Sequence, residues 1–178
     1  MRRLILFRHA KAEPRAAAGQ DTDRPLSARG LRDAALMGRV LAADGAAPDL
    51  ALVSPSLRTR QTWEAAAGAL PPTRVEVVDA LYNATSEEVA EVLERRSVGS
   101  RTVLVVGHNP SLQELSVQLL VDGGAAPGDI ERLEEGFPTA TAAAFLIGPD
   151  GQATFDGVFG PRDAGRATTP AETSGEAF

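Results

Sequence analysis

The sequence predicts an α/β fold: a three-layer sandwich with a mostly parallel central sheet, helices on both faces of the sheet and an antiparallel hairpin at one edge. Short apolar runs rich in β-branched residues alternate with longer segments of helical periodicity, which is the pattern of a parallel sheet. One such run, residues 103–106, is apolar at every position, as expected of a strand covered by helices on each side. A length of 178 residues suits one domain with a sizeable core.

Six strands are predicted. The last two are separated by Gly148, Pro149, Asp150 and Gly151, a turn sequence typical of an antiparallel hairpin. We therefore expect this pair to close one edge of the sheet. The predicted strands cover residues 4–7, 50–53, 75–78, 102–106, 141–147 and 153–159.

The first two predicted helices connect the early strands. Ser27 is a favourable N-cap for a helix that runs to about Ala43, and a second helix is expected over residues 57–69. The inward-facing positions are predicted to be Leu31, Ala35, Val40 and Leu41 in the first helix and Trp63 and Ala66 in the second.

Two further helices have clear start signals. Thr85 and Glu88 have the spacing of a capping box, and the helix that follows would bury Val89, Val92 and Leu93. Asn109 and Pro110 are typical of an N-cap followed by proline at the first helical position. Residues 122–138 are expected to be irregular. The domain is expected to span residues 1–159, with a flexible tail over residues 160–178, where small and polar residues dominate.

The composition excludes several classes of function. A net charge of −6 argues against a general binder of nucleic acids or anionic membranes. Lys11 is the single lysine, so there is no Walker A lysine. The absence of cysteine removes disulfides and thiolate chemistry, and two histidines make a structural zinc site unexpected. No apolar run is long enough for a membrane helix or a signal peptide, so a cytoplasmic, unexported protein is expected.

Both histidines follow predicted strands directly. His9 comes after the strand at 4–7, and His108 comes after the strand at 102–106. Either one alone would ordinarily be an isolated core or loop histidine. Two at equivalent strand ends favour a common site, because open α/β sheets bind ligands at the carboxyl ends of their strands.

A third strand end leads into the segment 54–62, which contains Arg58. Its arginines could simply be solvated residues that open a helix. If the three strand ends converge, however, Arg8, His9, Arg58 and His108 share one pocket next to helix N-termini. Arginines bind phosphate oxygens in bidentate fashion, and a neutral imidazole is a competent nucleophile. The pocket would therefore suit a tetrahedral dianion.

These three segments resemble the histidine phosphatase superfamily, also called the phosphoglycerate mutase-like fold. The segments that carry the resemblance are Arg8-His9-Ala10, Ser54-Pro55-Ser56 with Arg58, Thr59, Gln61 and Thr62, and Gly107-His108-Asn109-Pro110. The resemblance is closer to the compact SixA-type branch, because Asp23-Arg24-Pro25-Leu26-Ser27 is similar to that branch's approach to its first helix and no large lid is inserted. It covers about residues 3–158.

The resemblance implies a role for each matching residue. His9 matches the nucleophile that becomes transiently phosphorylated, and Arg8 and Arg58 match the arginines that hold the phosphoryl group. His108 matches the second pocket histidine, which binds the same group, and Asn109 is placed with the phosphate-binding residues. The family needs no metal, and no cofactor is expected.

The general acid is a departure from many members of the family. They have a glutamate just after the third core strand, where this sequence has residues 79–85 without a clearly equivalent carboxylate. The candidates that remain are Asp21, Asp23, Asp79 and Glu87. A turn or capping role is favoured for Asp21 and Asp23 and a solvated first helical turn for Glu87, whereas Asp79 is equally interpreted as a strand-end residue. A weak or missing acid favours substrates with an easily displaced leaving group, such as the imidazole of phosphohistidine.

The predicted function is therefore a metal-independent phosphatase that acts through a phosphohistidine on His9 and dephosphorylates phosphohistidine on a protein. By resemblance to the branch, that partner could be a histidine phosphotransfer domain. The alternative is a phosphomonoesterase for a small metabolite such as a sugar phosphate or nucleotide. A phosphate sensor without turnover is a third interpretation, against which the intact set of four pocket residues argues.

Overall fold

The computed structural model describes residues 1–16 and 19–165, which form a six-stranded sheet between two layers of helices. The strands are β1 (Arg3–Arg8), β2 (Leu50–Val53), β3 (Arg74–Val77), β4 (Thr102–Gly107), β5 (Ala142–Ile147) and β6 (Ala153–Phe159). The helices are α1 (Ala28–Ala43), α2 (Leu57–Ala67), α3 (Ser86–Arg96), α4 (Ser111–Asp122) and α5 (Pro127–Glu135).

The sheet has the order β3-β2-β4-β1-β5-β6. Strands β3, β2, β4 and β1 are parallel, whereas β5 is antiparallel to both β1 and β6. The hairpin between β5 and β6 turns at Gly148, whose carbonyl accepts from the Gly151 N–H at 3.0 Å. The mostly parallel sheet with an antiparallel edge hairpin is confirmed.

The strand side chains alternate between two core layers. In β1, for example, Leu4 and Leu6 pack with residues of α3, α4 and α5, whereas Ile5 and Phe7 pack with residues of α1 and α2. This alternation follows from the two-residue period of a β-strand. Because both faces are covered at the centre of the sheet, β2, residues 4–7 of β1 and residues 103–106 of β4 are apolar throughout, which is why their sequences predicted a three-layer sandwich.

Two predicted helix starts are confirmed by their hydrogen bonds. The Ser27 hydroxyl accepts from the Gly30 N–H at 3.1 Å and caps α1. At α3, the Thr85 hydroxyl accepts from the Glu88 N–H at 3.2 Å, and the Glu88 carboxylate accepts from the Thr85 N–H at 2.8 Å. Helix α2 begins as predicted, buries Trp63 and Ala66, and ends at residue 67 instead of 69.

The prediction that Leu31 faces the core is wrong. Leu31 is 45% exposed, and the buried face of α1 instead carries Gly30, Ala34, Met37 and Gly38 together with the predicted Val40 and Leu41. A Cβ on Gly30 would lie 2.0 Å from the carbonyl oxygen of Lys11, and one on Gly38 would lie 2.1 Å from that of Ala66. The helix therefore packs through its glycines, which a search for large apolar residues overlooks.

The start of α4 also differs from the prediction. The helix begins at Ser111, and Pro110 occupies the N-cap after a cis peptide bond to Asn109. The Asn109 Oδ1, which would accept a cap hydrogen bond, is buried without a partner among the described residues, while the amide nitrogen donates to Gln113 and Phe137.

Residues 122–138 contain a helix, so the prediction of an irregular segment is wrong for α5. Only Ile130 and Leu133 mark its apolar face, and Leu133 alone is fully buried. Gln113 of α4 donates from its Nε2 to the carbonyls of Leu133 and Glu134 at 2.9 and 3.1 Å. This tertiary contact stabilises the C-terminal end of α5 and has no local signal in the sequence.

The predicted tail begins with ordered residues. Pro161–Gly165 form a short 3-10 helix beside α1, preceded by a hydrogen bond of 2.7 Å from the Gly160 N–H to the Asp163 carboxylate. Residues 166–178 of the predicted tail lie outside the described residues. In the described part of the chain, no helix is long and apolar enough to span a membrane.

Candidate active site

A cavity of about 700 Å³ opens at the carboxyl ends of β1, β2 and β4. All five residues predicted from the sequence to form the site line this cavity: Arg8, His9, Arg58, His108 and Asn109. They come together because β4 lies between β1 and β2 in the sheet, which brings the three following loops to the same edge. The lining also includes Lys11, Ala12, Arg24, Asn83, Ala84, Thr85, Pro110, Ser111, Glu114 and Thr139.

His9 is oriented with one ring nitrogen available to the cavity. Its backbone N–H donates to the carbonyl of Gly107 at 3.1 Å, which ties it to β4. Its Nδ1 lies 2.7 Å from the carbonyl oxygen of Ala10. Because a carbonyl oxygen only accepts, we assign the proton of the neutral ring to Nδ1. Nε2 therefore keeps its lone pair, as a nucleophile must.

The environment of His9 favours the neutral imidazole. Burial lowers the pKa of His9 to about 4, and the positive charges of Arg58, Arg8 and Arg24 act in the same direction. The hydrogen bond to the Ala10 carbonyl opposes this shift without reversing it. At neutral pH the ring is thus neutral, and its Nε2 is able to attack an electrophile.

His108 lies beside His9, with the two ring centroids 5.3 Å apart. Its Nε2 is 2.7 Å from the hydroxyl oxygen of Ser54, which is fully buried at the end of β2. The ring of Tyr82 packs edge-on against His108 at 5.6 Å. Burial lowers the pKa of His108 to about 3, with further lowering from the charges of His9 and Arg58. Bound dianionic phosphate would offset these effects at His108 and favour protonation of that ring.

Arg8 and Asn109 meet at one backbone carbonyl. Arg8 donates from Nη1 to the carbonyl of Phe137 at 2.6 Å, and the Asn109 amide donates to the same oxygen at 3.1 Å. The second N–H of that amide donates to Gln113 Oε1 at 3.0 Å. Both donors of Asn109 are thereby engaged within the protein, so a direct contact with phosphate requires one of these bonds to break. Arg8 Nε is buried and has no partner among the described residues.

Arg58 enters the site from the first turn of α2 and is 7% exposed. The segment around it is held by buried hydroxyls: Thr59 Oγ1 donates to the carbonyl of Ser54 at 2.7 Å, and Thr62 Oγ1 accepts from the Ala10 N–H at 3.0 Å. This second bond links α2 to the loop that carries His9. The hydroxyl-rich sequence 54–62 is therefore the framework that fixes Arg58.

The four candidate acids lie outside the cavity lining. Asp23 accepts from the Gln20 N–H at 2.9 Å in a 3-10 turn. Asp79 begins another such turn. Glu87 is exposed in the first turn of α3. Asp21 accepts hydrogen bonds from Arg24, Tyr82 and Arg58, and these hold the pKa of its carboxyl well below its usual range. Asp21 is therefore a carboxylate and not a proton donor at neutral pH.

Several lining or contacting residues were missed from the sequence. Ser54 and Tyr82 contact His108, and Lys11, Arg24 and Glu114 line the cavity. The position of Ser54 directly after the predicted strand 50–53 was a usable signal in the sequence. Glu114 is the one carboxylate among the lining residues that the structure describes, and it lies exposed in the first turn of α4. Four cationic side chains and one anionic side chain therefore face the cavity, an arrangement that suits an anionic ligand.

Comparisons with known proteins identify the class. The family model of the histidine phosphatase superfamily (branch 1) matches residues 4–91. A solved structure of the putative phosphohistidine phosphatase SixA from Nakamurella multipartitia is 31% identical, with a TM-score of 0.77 over 90% of this chain and 96% of that chain. The chain belongs to the histidine phosphatase superfamily, and its structural matches support the SixA-type branch.

Two further proteins are similar over most of the chain. The structure of the protein histidine phosphatase SixA complexed with tungstate has 28% identity and a TM-score of 0.72, covering 90% of this chain and 98% of that chain. An uncharacterized protein of Mycobacterium tuberculosis (strain ATCC 25618 / H37Rv) is 39% identical over 142 residues, which are 79% of this chain and 87% of that protein. Membership of the superfamily together with the SixA matches supports a phosphatase.

Proposed function

We propose that the protein hydrolyses phosphohistidine on another protein through a phosphohistidine intermediate on His9, without a metal ion or cofactor. One observation supports this more than any other: the neutral His9 ring has its Nε2 free in a cavity that Arg8, Arg58 and His108 also line. A nucleophile surrounded by two guanidinium groups and a second imidazole is suited to phosphoryl transfer.

In the first step, the Nε2 lone pair of His9 attacks phosphorus opposite the bond to the leaving group. The new N–P bond forms as the old P–N bond breaks, and the departing imidazole takes a proton from solvent. Arg8 and Arg58 neutralise the charge on the equatorial oxygens, and His108 donates to one of them.

In the second step, a water molecule attacks the phosphorus of phosphorylated His9. The N–P bond breaks, the water loses a proton to bulk solvent, and inorganic phosphate leaves. His9 returns to its neutral form, because its pKa of about 4 disfavours the protonated ring once the dianion has left.

The position of the four acids predicted from the sequence supports phosphohistidine as the substrate. None of Asp21, Asp23, Asp79 and Glu87 lines the cavity. An alkoxide leaving group gains about 10²- to 10⁴-fold from general acid catalysis, whereas a departing imidazole has a basic nitrogen of its own. The partner is thus a phosphorylated protein, and a histidine phosphotransfer domain fits the resemblance to the SixA-type branch.

Glu114 favours a second candidate function. Its side chain lies at the cavity wall, where a carboxylic acid could protonate the alkoxide of a sugar phosphate or nucleotide. The protein would then be a small-molecule phosphomonoesterase with the same nucleophile.

Two measurements test the proposal. Rapid quenching with substrate should trap an acid-labile, base-stable phosphate on His9 that is absent from His9→Ala. A panel of phosphohistidine protein, sugar phosphates and nucleotides should give the highest kcat/KM for the phosphohistidine protein. Substantial turnover by His9→Ala would exclude the nucleophile, and a higher kcat/KM for a metabolite that Glu114→Gln abolishes would establish the second function.

A further inference from the structure

Asp21 is the residue at which three elements around the cavity meet. We infer that its carboxylate is a positioning residue, which holds Arg58 and Arg24 at the phosphoryl site and Tyr82 against His108. The inference rests on the proposed function, since it assigns Asp21 a part in that reaction other than proton transfer.

The contacts of Asp21 use both of its carboxylate oxygens. Oδ2 accepts from Arg58 Nη2 at 3.0 Å and from the Tyr82 hydroxyl at 2.9 Å, and Oδ1 accepts from Arg24 Nη1 at 2.7 Å. The backbone carbonyl of Asp21 also accepts from Arg58 Nη1 at 2.8 Å. One residue thus binds side chains from α2, from the loop before α1 and from the segment after β3.

These bonds fix the direction in which Arg58 presents its remaining donors. A guanidinium group has five N–H groups, and Asp21 takes one from each terminal nitrogen. Because the group is planar, two bonds to one residue set the plane in which the other three N–H groups lie. Tyr82 packs on this arrangement, with Arg58 Cζ 5.9 Å from its ring centroid.

The same carboxylate acts on His108 through Tyr82. The Tyr82 ring contacts His108 edge-on at 5.6 Å, while its hydroxyl is held by Asp21. Tyr82 is the single tyrosine of the chain. Burial raises the pKa of the phenol, and the hydrogen bond to Asp21 and the charge of Asp21 raise it further.

A carboxylate is needed for this geometry, and the isosteric amide cannot replace it. An asparagine at position 21 accepts at one terminal atom and donates at the other, so it cannot accept from the Arg24 side and the Arg58 side together. Asp21→Asn therefore disrupts this arrangement of hydrogen bonds at nearly constant side-chain volume. Asp23→Asn is a matched control, because it removes the same charge from the same turn while Asp23 accepts only from the Gln20 N–H among the described residues.

The first measurement compares both variants with the wild type on aryl phosphates of increasing leaving-group basicity. If Asp21 positions Arg58, Asp21→Asn lowers kcat/KM by about 10-fold for every aryl phosphate, a loss equivalent to about 1.4 kcal/mol. Asp21→Asn should also bind inorganic phosphate more weakly than Asp23→Asn does. A general acid behaves differently, because its loss grows as the leaving group becomes more basic.

The second measurement follows the ionisation of Tyr82 by ultraviolet absorbance. Asp21→Asn moves the midpoint to lower pH by more than Asp23→Asn does, because both the hydrogen bond and the nearby charge are lost. Fluorescence of Trp63, the single tryptophan, reports whether the variants remain folded. Tyr82→Phe, which removes one donor to Asp21, should give a smaller loss of kcat/KM of the same kind.

The outcomes separate the inference from the proposed function. A loss that depends on the leaving group, or kinetics and phosphate affinity equal to those of Asp23→Asn, overturns the positioning role. If the wild type forms no phosphohistidine at His9, the proposed function fails, yet phosphate affinity and the Tyr82 titration still decide whether Asp21 holds these side chains.

Discussion

The Ser54 hydroxyl holds His108 in either protonation state. A hydroxyl donates to the lone pair of a neutral imidazole and accepts from the N–H of an imidazolium, so the 2.7 Å contact persists when the ring gains a proton. His108 must pass between these states if it is neutral in the free enzyme and cationic beside bound phosphate. Because Ser54 contacts Nε2 of His108 in both states, Nδ1 is the ring nitrogen that can contact the ligand.

Ser54→Ala should lower kcat by about 10-fold, because a hydrogen bond to a buried group contributes about 1 to 2 kcal/mol. Ser56→Ala is the matched control. Ser56 is equally buried in the same segment, but its hydroxyl bonds to Thr59 and contacts neither histidine. Steady-state kinetics on one substrate measures both variants, and an equal loss in the two would mean that Ser54 acts only through stability.

The two histidines should stay neutral far below the usual imidazole range. With pKa values of about 4 for His9 and about 3 for His108, neither ring titrates between pH 8 and about pH 5. In the unfolded chain both imidazoles take up a proton near pH 6.5, whereas the folded protein keeps them neutral. The free energy of unfolding therefore falls as the pH decreases from about 6.5 towards 4. Nitrogen NMR of the two imidazoles measures their titration directly. A titration midpoint near pH 6.5 for His9 in the free protein would contradict the prediction that its ring stays neutral.

At the scale of elements, the sequence was sufficient wherever the signal is local. The strands, the caps at Ser27 and Thr85 and the edge hairpin were predicted because period-two patterns, capping boxes and turn residues act within a few positions. One further rule is that the carboxyl ends of parallel strands lie at the same edge of a sheet. This rule predicted the convergence of Arg8, His9, Arg58 and His108. Contacts such as those of Asp21, Ser54 and Gln113 depend on how loops pack, and no spacing predicts them.

The glycine contact between α1 and α2 should be sensitive to a single methyl group. Gly38→Ala places a Cβ about 2.1 Å from the Ala66 carbonyl oxygen, so the helices must separate. We expect a loss of about 1 to 3 kcal/mol in the free energy of unfolding, as in other overpacked cores. Gly128→Ala in α5 is the control, since its Cβ meets nothing within 4 Å and alanine favours the helix. Urea denaturation compares them, and equal stabilities would refute the close contact.

Gln113 connects α5 to the phosphate site. It binds the last carbonyls of α5 and accepts from Asn109, which shares the Phe137 carbonyl with Arg8. Gln113→Ala should therefore speed amide hydrogen exchange in α5 and raise KM by roughly 3- to 10-fold, equivalent to about 1 kcal/mol. The control is Gln118→Ala on the same helix, whose side chain bonds only to Asp122 among the described residues. Faster exchange without a change in KM would show that α5 does not influence Arg8.

At the scale of the whole molecule, the chain has a net charge of −6, yet its cavity is lined by Arg8, Lys11, Arg24 and Arg58. An acidic surface repels extended polyanions, whereas a small dianion that enters the cavity meets local positive charge. Vanadate should therefore inhibit competitively, while single-stranded DNA should neither bind nor compete at about 0.15 M salt, where screening acts beyond about 8 Å. Fluorescence anisotropy of labelled DNA, with and without vanadate, measures both effects. DNA binding that vanadate displaces would show that positive potential extends beyond the cavity, and the substrate could then be a larger polyanion than a phosphorylated side chain.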